Sequence, residues 1–500
     1  MPIFPESLPT AGAVLAALVV LGLLFRPKRN ARLPPGPPQD PVIGHLRSMP
    51  ATKIADTYHN WAQKYGDVMH LQLPGVSFIV LGSHDAAVEL LEKRSAIYSA
   101  RPKFALYELM GWKNILPFIS SGERFRRHRQ ALQTYLTPES SLLKFGDVQT
   151  RAARRLARRM IDEQPEDKEY ERYLSEFSTT VAVYAMNGHE ITSQNDEYIA
   201  LGDAVARTFT ETGPPGGTGV DMFPFLGSFP GWFPGAHYAA VGRSLRPIAC
   251  RLLEHPMNEV NEQRAAGTAT ESFLLHQLER ADALLDKEEL QGAGATVFIG
   301  GKLTTLSTLT VFLLAMILHP QAQLKAQEEL DRVLGHAHLP TLADRKDLPY
   351  LEALVQEVYR WNPVLQLGIP HVLDSEDEYR GWRIPKGAVV FANIKGISRD
   401  ASIYTKPDSF TPERFLSTPP EPKFTDVFGY GRRVCVGRHL ADNGIWIAVA
   451  TILASCKITN ALDKNGSPIV PSCEMTDGMD SHPRNVKCVV TARFPGGFDV

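Results

Sequence analysis

Cysteine is scarce in this chain. Five residues in 500 (Cys250, Cys435, Cys456, Cys473 and Cys488) are too few and too irregularly spaced for a disulfide framework or a paired-cysteine zinc site, and they fit a reducing compartment. Surplus charge is missing too: 53 basic against 55 acidic residues leave a net charge of -2, which removes the electrostatic reason to expect a nucleic-acid partner. No internal repeat or long low-complexity tract interrupts the chain. Hydrophobic residues at 44% against 22% charged exclude a disordered polymer and require a packed core. A nucleotide-binding loop is absent as well. Gly292-Ala-Gly294 has Val297 where a dinucleotide fingerprint needs its third glycine, and no phosphate-cradling Gly-Lys-Ser/Thr loop occurs.

What the chain does have begins at its start. Leu8 to Phe25 is an uncharged run that would span roughly 27 Å as a helix, enough for the hydrocarbon core of a thin bilayer. Glu6 precedes it, whereas Arg26, Lys28, Arg29 and Arg32 follow, which is the reverse of a cleaved signal peptide and places the basic flank on the cytosolic side. Residues 1–32 are therefore expected to be a single uncleaved anchor with its flank, the endoplasmic reticulum being the natural membrane. Leu33-Pro-Pro-Gly-Pro-Pro38 fixes the backbone and removes amide donors, so residues 33–40 are expected to form a stiff hinge. No later composition shift marks a second folding unit, so residues 41–500 are read as one domain.

Short strands are expected at Val68 to Leu73 and Ser77 to Leu81, split by Pro74-Gly75 as in a hairpin. Apolar residues at helical spacing predict helices over Ala86 to Arg94, Phe125 to Tyr135, Leu318 to Leu334 and Tyr350 to Trp361. Thr296 to Leu318 carries one charge, Lys302, and predicts a helix buried on nearly every side. A second membrane span is the rival reading, opposed by Gly300-Gly301 and by the Ser/Thr residues of the first half, which suit a polar feature inside protein. The segment Asp221 to Gly235 is too rich in proline for a helix and too aromatic for an ordinary exposed loop, and is suited to dip into a membrane surface.

Phe428-Gly-Tyr-Gly-Arg-Arg-Val-Cys-Val-Gly437 sets a cysteine in a tight glycine-bearing loop ahead of an apolar helix, His439 to Ser455. Backbone amides, the coming helix N-terminus, Arg432 and Arg433 all favour negative charge on sulfur. Cysteine thiolate is an axial ligand of haem iron that promotes O–O cleavage, whereas a core cysteine in a turn is the plain alternative.

The loop resembles the signature of the cytochrome P-450 family at Phe428, Gly431, Arg433, Cys435 and Gly437, with Val436 where proline is frequent. The resemblance implies a mainly α fold, a helical haem-binding domain with a small β-rich region. It implies haem b bound through Cys435, a propionate contact from Arg433, and Phe428 packed beside the sulfur. Three further motifs follow the family's order. Glu357 and Arg360 with Arg414 of Pro412-Glu-Arg-Phe415 are similar to its buried Glu-Arg-Arg cluster. Phe125-Arg-Arg-His-Arg129 is similar to its Trp-x-x-x-Arg helix, with Arg129 as a propionate partner and Phe125 unable to supply the indole N–H. His371 is a further candidate for propionate contact. In texture the chain resembles fungal secondary-metabolism members of the type that includes O-methylsterigmatocystin oxidoreductase.

Gly300-Gly-Lys-Leu-Thr-Thr305 resembles the family's oxygen-activating turn, with Thr304 (and Thr305 beside it) in place but Leu303 where an acid is usual. Three readings stay open: proton supply through Thr304, Thr305 and water; haem chemistry without net oxygenation, such as rearrangement or dehydration; or an impaired, haem-bearing binding protein. By resemblance the substrate pocket would be lined by Phe104, Leu106, Tyr107, Leu109, Met110, Trp112, Ile115, Phe118, Phe298, Leu365, Leu367 and Ile369. That lipophilic lining without an anchoring charge suggests a terpenoid or polyketide-like substrate. The implied electron donor is the membrane-bound NADPH-cytochrome P-450 reductase, with cytochrome b5 as a second candidate, docking near Arg432, Arg438 and His439.

Overall fold

A computed structural model describes residues 32–494 apart from 168, 211, 213–217, 283 and 336–337. The expected anchor over Leu8 to Phe25 lies outside the described residues. The longer helices are α1 Ile54–Tyr65, α2 Ala105–Met110, α3 Glu123–Tyr135, α4 Gly146–Asp162, α5 Glu171–Asn187, α6 Glu197–Thr210, α7 His237–Ala266, α8 Lys287–Leu318, α9 Pro320–Leu334, α10 Pro349–Trp361 and α11 Arg438–Ser455. Strands β1 Val68–Leu73 and β2 Val76–Leu81 pair antiparallel around Pro74-Gly75. With β3 His371–Val372 and β6 Val389–Ala392 they make one sheet of order β1-β2-β6-β3, in which β2 and β6 run parallel. Two small antiparallel pairs complete the strands: β4 Asp377–Tyr379 with β5 Trp382–Ile384, and β7 Cys456–Asn460 with β8 Cys488–Ala492.

The centre of the molecule is α8. Its start is set nine residues before Thr296 by a capping box missed in the periodicity: the Asp286 carboxylate accepts from the Glu289 amide at 2.8 Å, and Glu289 accepts in return from the Asp286 amide. The helix ends where Pro320 opens α9. Among the described residues α8 is the one helix long and apolar enough to cross a membrane, yet it is buried in protein, packed most extensively on α5 and also on α11, α7 and α10. Lys302 is fully buried and explains why its charge is tolerated: Nζ donates to Ser175 Oγ (2.6 Å) and Thr179 Oγ1 (2.9 Å) and pairs with Asp203 at 3.0 Å.

Three local expectations are refined. The segment after His84 is not one regular helix: Val88–Lys93 widens into a π turn, closed by Arg94 N donating to Glu89 O. The proline-rich stretch is docked on the body. Prolines lack N–H groups but keep their carbonyls, and those of Pro35 and Pro37 accept from the His70 amide and the His45 ring, strapping the segment onto β1. Asp221 to Gly235 forms short helical turns at Gly219–Met222 and Pro224–Ser228, with Phe223, Phe225, Phe229 and Trp232 exposed.

Helices α5, α6 and α7 are tied by one charged node. The His189 ring bonds Glu259 at 2.6 Å and Asp196 at 2.8 Å, while Tyr198 Oη and Asn187 Nδ2 donate to the other Glu259 oxygen. The Glu259 and Asp196 contacts raise the His189 pKa to about 9. A histidine raised in the folded state contributes stability in full below about pH 6.5 and loses it as pH rises through about 9. His189→Gln is therefore expected to lower the unfolding free energy read from urea titration by up to about 3 kcal/mol on the acidic side of that window and to have little effect above it. A pH-independent difference would contradict this origin.

Candidate active site

The glycine-bearing cysteine loop folds back on itself because the Cys435 amide donates to Phe428 O at 2.7 Å. It is wedged against the π turn. At Gly431 (φ 50) a Cβ would meet Leu91 O at 2.6 Å, so only glycine allows that approach. Cys435 thereby faces a cavity whose opposite wall is the middle of α8, with Gly300, Leu303, Thr304, Thr305 and Thr308 lining it. A Cβ at Gly300 would meet nothing, whereas Gly301 serves packing, since a Cβ there would lie 3.1 Å from Ala182 of α5. Thr304 Oγ1 donates to Gly300 O at 2.8 Å, and Thr308 Oγ1 to Thr304 O at 2.7 Å. Burial raises the Cys435 thiol pKa; the Gly437 amide, Arg129 and Arg438 pull it down without overcoming burial. The amide and cations thus favour the thiolate as the loop's sequence suggests, and with the sulfur open to the cavity a coordinated metal would complete the ionisation.

Beside the loop, Arg433 is stacked on the Phe125 ring, 3.6 Å from guanidinium carbon to centroid, and donates from Nε to Ser99 O at 2.8 Å. Both of its terminal nitrogens are buried without a hydrogen-bond partner. Burial, with Arg129 adding, lowers its pKa to about 9. The four N–H groups on these two nitrogens, desolvated, call for an anion, and a porphyrin carboxylate in the adjoining cavity fits that demand. Phe125, in the place of the family's tryptophan, thus offers a platform rather than a donor. Arg101, which sequence reading passed over, lies in the same wall. It is buried, donates to the Ile369 and Pro370 carbonyls (2.6 and 2.7 Å), and lies close enough to Arg433 for the two cations to repel. A lone Arg-Pro pair carried no signal for it.

Arg129 and His371, the other two expected propionate partners, both line the cavity, and each makes a hydrogen bond within the protein. Arg129 Nη1 donates to Val434 O at 2.5 Å, fastening α3 to the cysteine loop. His371 donates from Nδ1 to Tyr98 O at 2.6 Å, and burial together with Arg101 and Arg433 holds its pKa well below the usual value. That bond makes His371 a tie between β3 and Tyr98 in the cavity wall. Glu357, Arg360 and Arg414 do meet: Arg360 pairs with both Glu357 oxygens at 2.8 Å and Arg414 Nε reaches Oε1 at 3.2 Å, all buried. Phe428 packs edge-on to Tyr359, and Gly437 precedes α11.

The expected pocket divides. Ile115, Phe118, Leu365, Leu367 and Ile369 line the cavity. Phe104, Leu106, Tyr107, Met110, Trp112 and Phe298 do not; they are buried in the core, where Tyr107 and Trp112 pack on Phe209 of α6 and Phe104 on Phe118. Leu109 lines a separate surface pocket between α2 and α7. The reason is that α2 packs chiefly on α7, with Tyr107 against Phe209 of α6, leaving only the turns after it (Ile115 to Phe118) to reach the cavity. Asp480, from the C-terminal segment, was also missed and lines the cavity beside Met479.

The model of the cytochrome P-450 family matches residues 34–473. The chain is 35% identical to cytochrome P-450 monooxygenase 176 of Postia placenta over 496 residues, covering 95% of each chain. It is 34% identical to cytochrome P-450 monooxygenase claR of Ampulloclitocybe clavipes, covering 97% of this chain and 92% of that one. It is 35% identical to cytochrome P-450 monooxygenase COX2 of Coprinopsis cinerea, covering 97% and 94%. The chain belongs to the cytochrome P-450 family, whose members hold haem through a cysteine thiolate.

The Arg433 geometry gives a test with two signs. Arg433→Met removes a buried cation without an anionic partner in the protein, so the haem-free fold is expected to gain stability. Haem retention should fall by about 1.5–3 kcal/mol per lost charged hydrogen bond, a tenfold to hundredfold faster transfer to a haem scavenger. Unchanged transfer would remove Arg433 from the haem site.

Proposed function

We propose that this chain inserts one oxygen atom of dioxygen into a lipophilic small molecule of the terpenoid or polyketide-like kind, with electrons from NADPH-cytochrome P-450 reductase. The observation that carries the reading is one cavity with Cys435 on one wall, Thr304 on the opposite wall and an aliphatic approach through Val364, Leu365, Leu367 and Ile369. Bound haem would supply binding and cleavage of dioxygen, helped by electron density from the sulfur. The chain's own residues do the rest. Gly300 leaves room above the cysteine face, the aliphatic wall orients an apolar substrate and excludes water, and Thr304 and Thr308 present hydroxyls where protons are needed. Arg432, Arg438 and His439 crowd the cysteine side and suit an acidic docking face. Exposed Phe223, Phe225, Phe229 and Trp232 suit contact with the endoplasmic reticulum membrane that an anchor over Leu8 to Phe25 would hold nearby.

The test is turnover of the full chain with reductase, NADPH and isotopically labelled dioxygen over a panel of lipophilic substrates. Substrate-dependent NADPH use with one labelled oxygen per product is the expected result. Product without label would mean rearrangement or dehydration, and ligand binding without turnover would mean a binding protein.

A further inference from the structure

Leu303 is buried in the cavity wall and has no exchangeable proton. Lys302 beside it turns away from the cavity into the node formed with Ser175, Thr179 and Asp203. Oxygen insertion, on the reading above, consumes protons on the α8 side, so another acid has to be found. Among the described residues two carboxyl groups line the cavity, Asp426 and Asp480. Asp426 belongs to the cysteine side, where it accepts from Tyr430 Oη (2.6 Å) and the His84 ring (2.8 Å). Asp480 is on the α8 side, and its Oδ2 accepts from Ser307 Oγ at 2.6 Å.

Ser307 is one turn along α8 from Thr304, which lines the cavity, so the hydroxyl that bonds Asp480 lies on the strip of helix next to Thr304. Asp480 Oδ1 is buried and has no hydrogen-bond partner, an arrangement tolerable for a carboxyl that carries its proton and costly for a carboxylate. The segment that presents Asp480 is held firmly: Met475 and Pro483 bridge, the Ser481 amide donates to Val364 O at 2.8 Å, and Gln366 Nε2 donates to Ser481 Oγ. Burial, with the Glu171 charge adding, raises the Asp480 pKa to about 7 from an ordinary 3.8. The acid can therefore give and regain a proton near neutrality. Glu171, exposed at the start of α5, acts electrostatically on Asp480, on His482 and on Lys302, and the His482 Nδ1 is buried and unpartnered. Arg484 is the further charge acting on His482.

We propose that Asp480 is the acid that supplies protons to the α8 side of the cavity through Ser307, performing from the C-terminal segment the task that position 303 cannot. A turn of the carboxyl about its Cβ–Cγ bond brings the protonated oxygen to Ser307 Oγ, and Asp480 then gives that proton to Ser307 Oγ as Ser307 releases its own hydroxyl proton toward Thr304, one turn away. The resulting carboxylate regains a proton from solvent by way of His482 and Glu171. No electrons move, and the segment returns to its starting charge.

This inference rests on the oxygen-insertion reading, and the experiment separates the two. Asp480→Asn keeps the acceptor for Ser307 and removes the proton. In the haem-loaded wild-type protein, infrared spectroscopy should find a deuterium-sensitive carboxylic acid band that titrates near pH 7 and is missing in Asp480→Asn. With reductase and substrate, the ratio of product to NADPH should fall on the order of tenfold, below the usual range for a general acid because water partly substitutes. Peroxide should rise to match. Leu303→Asp added to Asp480→Asn should restore the ratio. Absence of the band, or unchanged coupling in Asp480→Asn, overturns the proposal, as does weaker substrate binding with full coupling of the substrate that does bind, which would make Asp480 a substrate anchor. Should Asp480→Asn fail to load haem, Ser307→Ala carries the test: coupling must fall with the band retained, and unchanged coupling overturns the proposal. Failure of the oxygen-insertion reading itself would show as unlabelled wild-type product.

Discussion

Glu357→Gln is expected to destabilise the protein by about 3–5 kcal/mol and to leave most of it without haem, because it strips a buried charge cluster of its one anion at the centre. Glu357 Oε1 accepts from Arg360, Arg414 and the Thr411 amide, and Oε2 from Arg360 Nε. Glu357 and Arg360 are fully buried and Arg414 nearly so. Glutamine has the shape but not the charge, and its amide nitrogen turns a donor toward guanidinium donors. Against a typical domain stability of about 5–15 kcal/mol, that loss is a large fraction. The cluster also governs the site. Arg360 donates to Ser398 O, Pro407 O and Ser409 O, and Arg414 to Thr405 O and Glu421, so α10 holds the 398–421 meander that leads into the cysteine loop. Urea midpoints and the yield of haem-loaded protein measure the effect; an unchanged midpoint would mean that the cluster is ornamental.

Cys435→Ser is expected to do the opposite: to fold and to lose oxygen insertion. The loop is closed by the Cys435 backbone amide and by the Gly431 wedge, neither of which uses the sulfur, so stability should change by no more than about 0.5 kcal/mol. What the substitution removes is a soft, ionisable sulfur. A serine hydroxyl is far harder to ionise and donates little electron density, so the contribution that favours O–O cleavage is lost. Turnover to oxygenated product should drop below detection while the urea midpoint stays. Oxygenated product at a comparable rate would remove the sulfur from the chemistry.

How much of this was legible in the sequence depended on whether a residue's role is local. The cysteine loop, the Glu357 to Arg360 spacing and Leu303 are written in short runs, and the structure places them where those runs suggest. The hairpin at Pro74-Gly75 and helix α10 followed from alternation and periodicity for the same reason. Roles set by tertiary direction were not readable. Tyr107 and Trp112 have the composition of pocket residues, but packing against the Phe209 ring of α6 turns them into core. His371 needed Tyr98, 273 residues away, to fix its tautomer. Arg101 and Asp480 are single residues in unremarkable stretches, and only the fold brings Arg101 beside Arg433 and Asp480 onto Ser307. The amide and cations around Cys435 lower its thiol pKa as the loop's sequence suggests, and only the desolvation that raises it, set by the surrounding fold, was not readable there.

The most direct test of the account is the carbon monoxide difference spectrum of the dithionite-reduced protein, read beside Cys435→Ala. A red-shifted Soret band of the thiolate type, present in the wild-type chain and lost in the variant, is the predicted result. Folded, haem-loaded wild-type protein without that band would contradict it, since Cys435 would then not be the ligand.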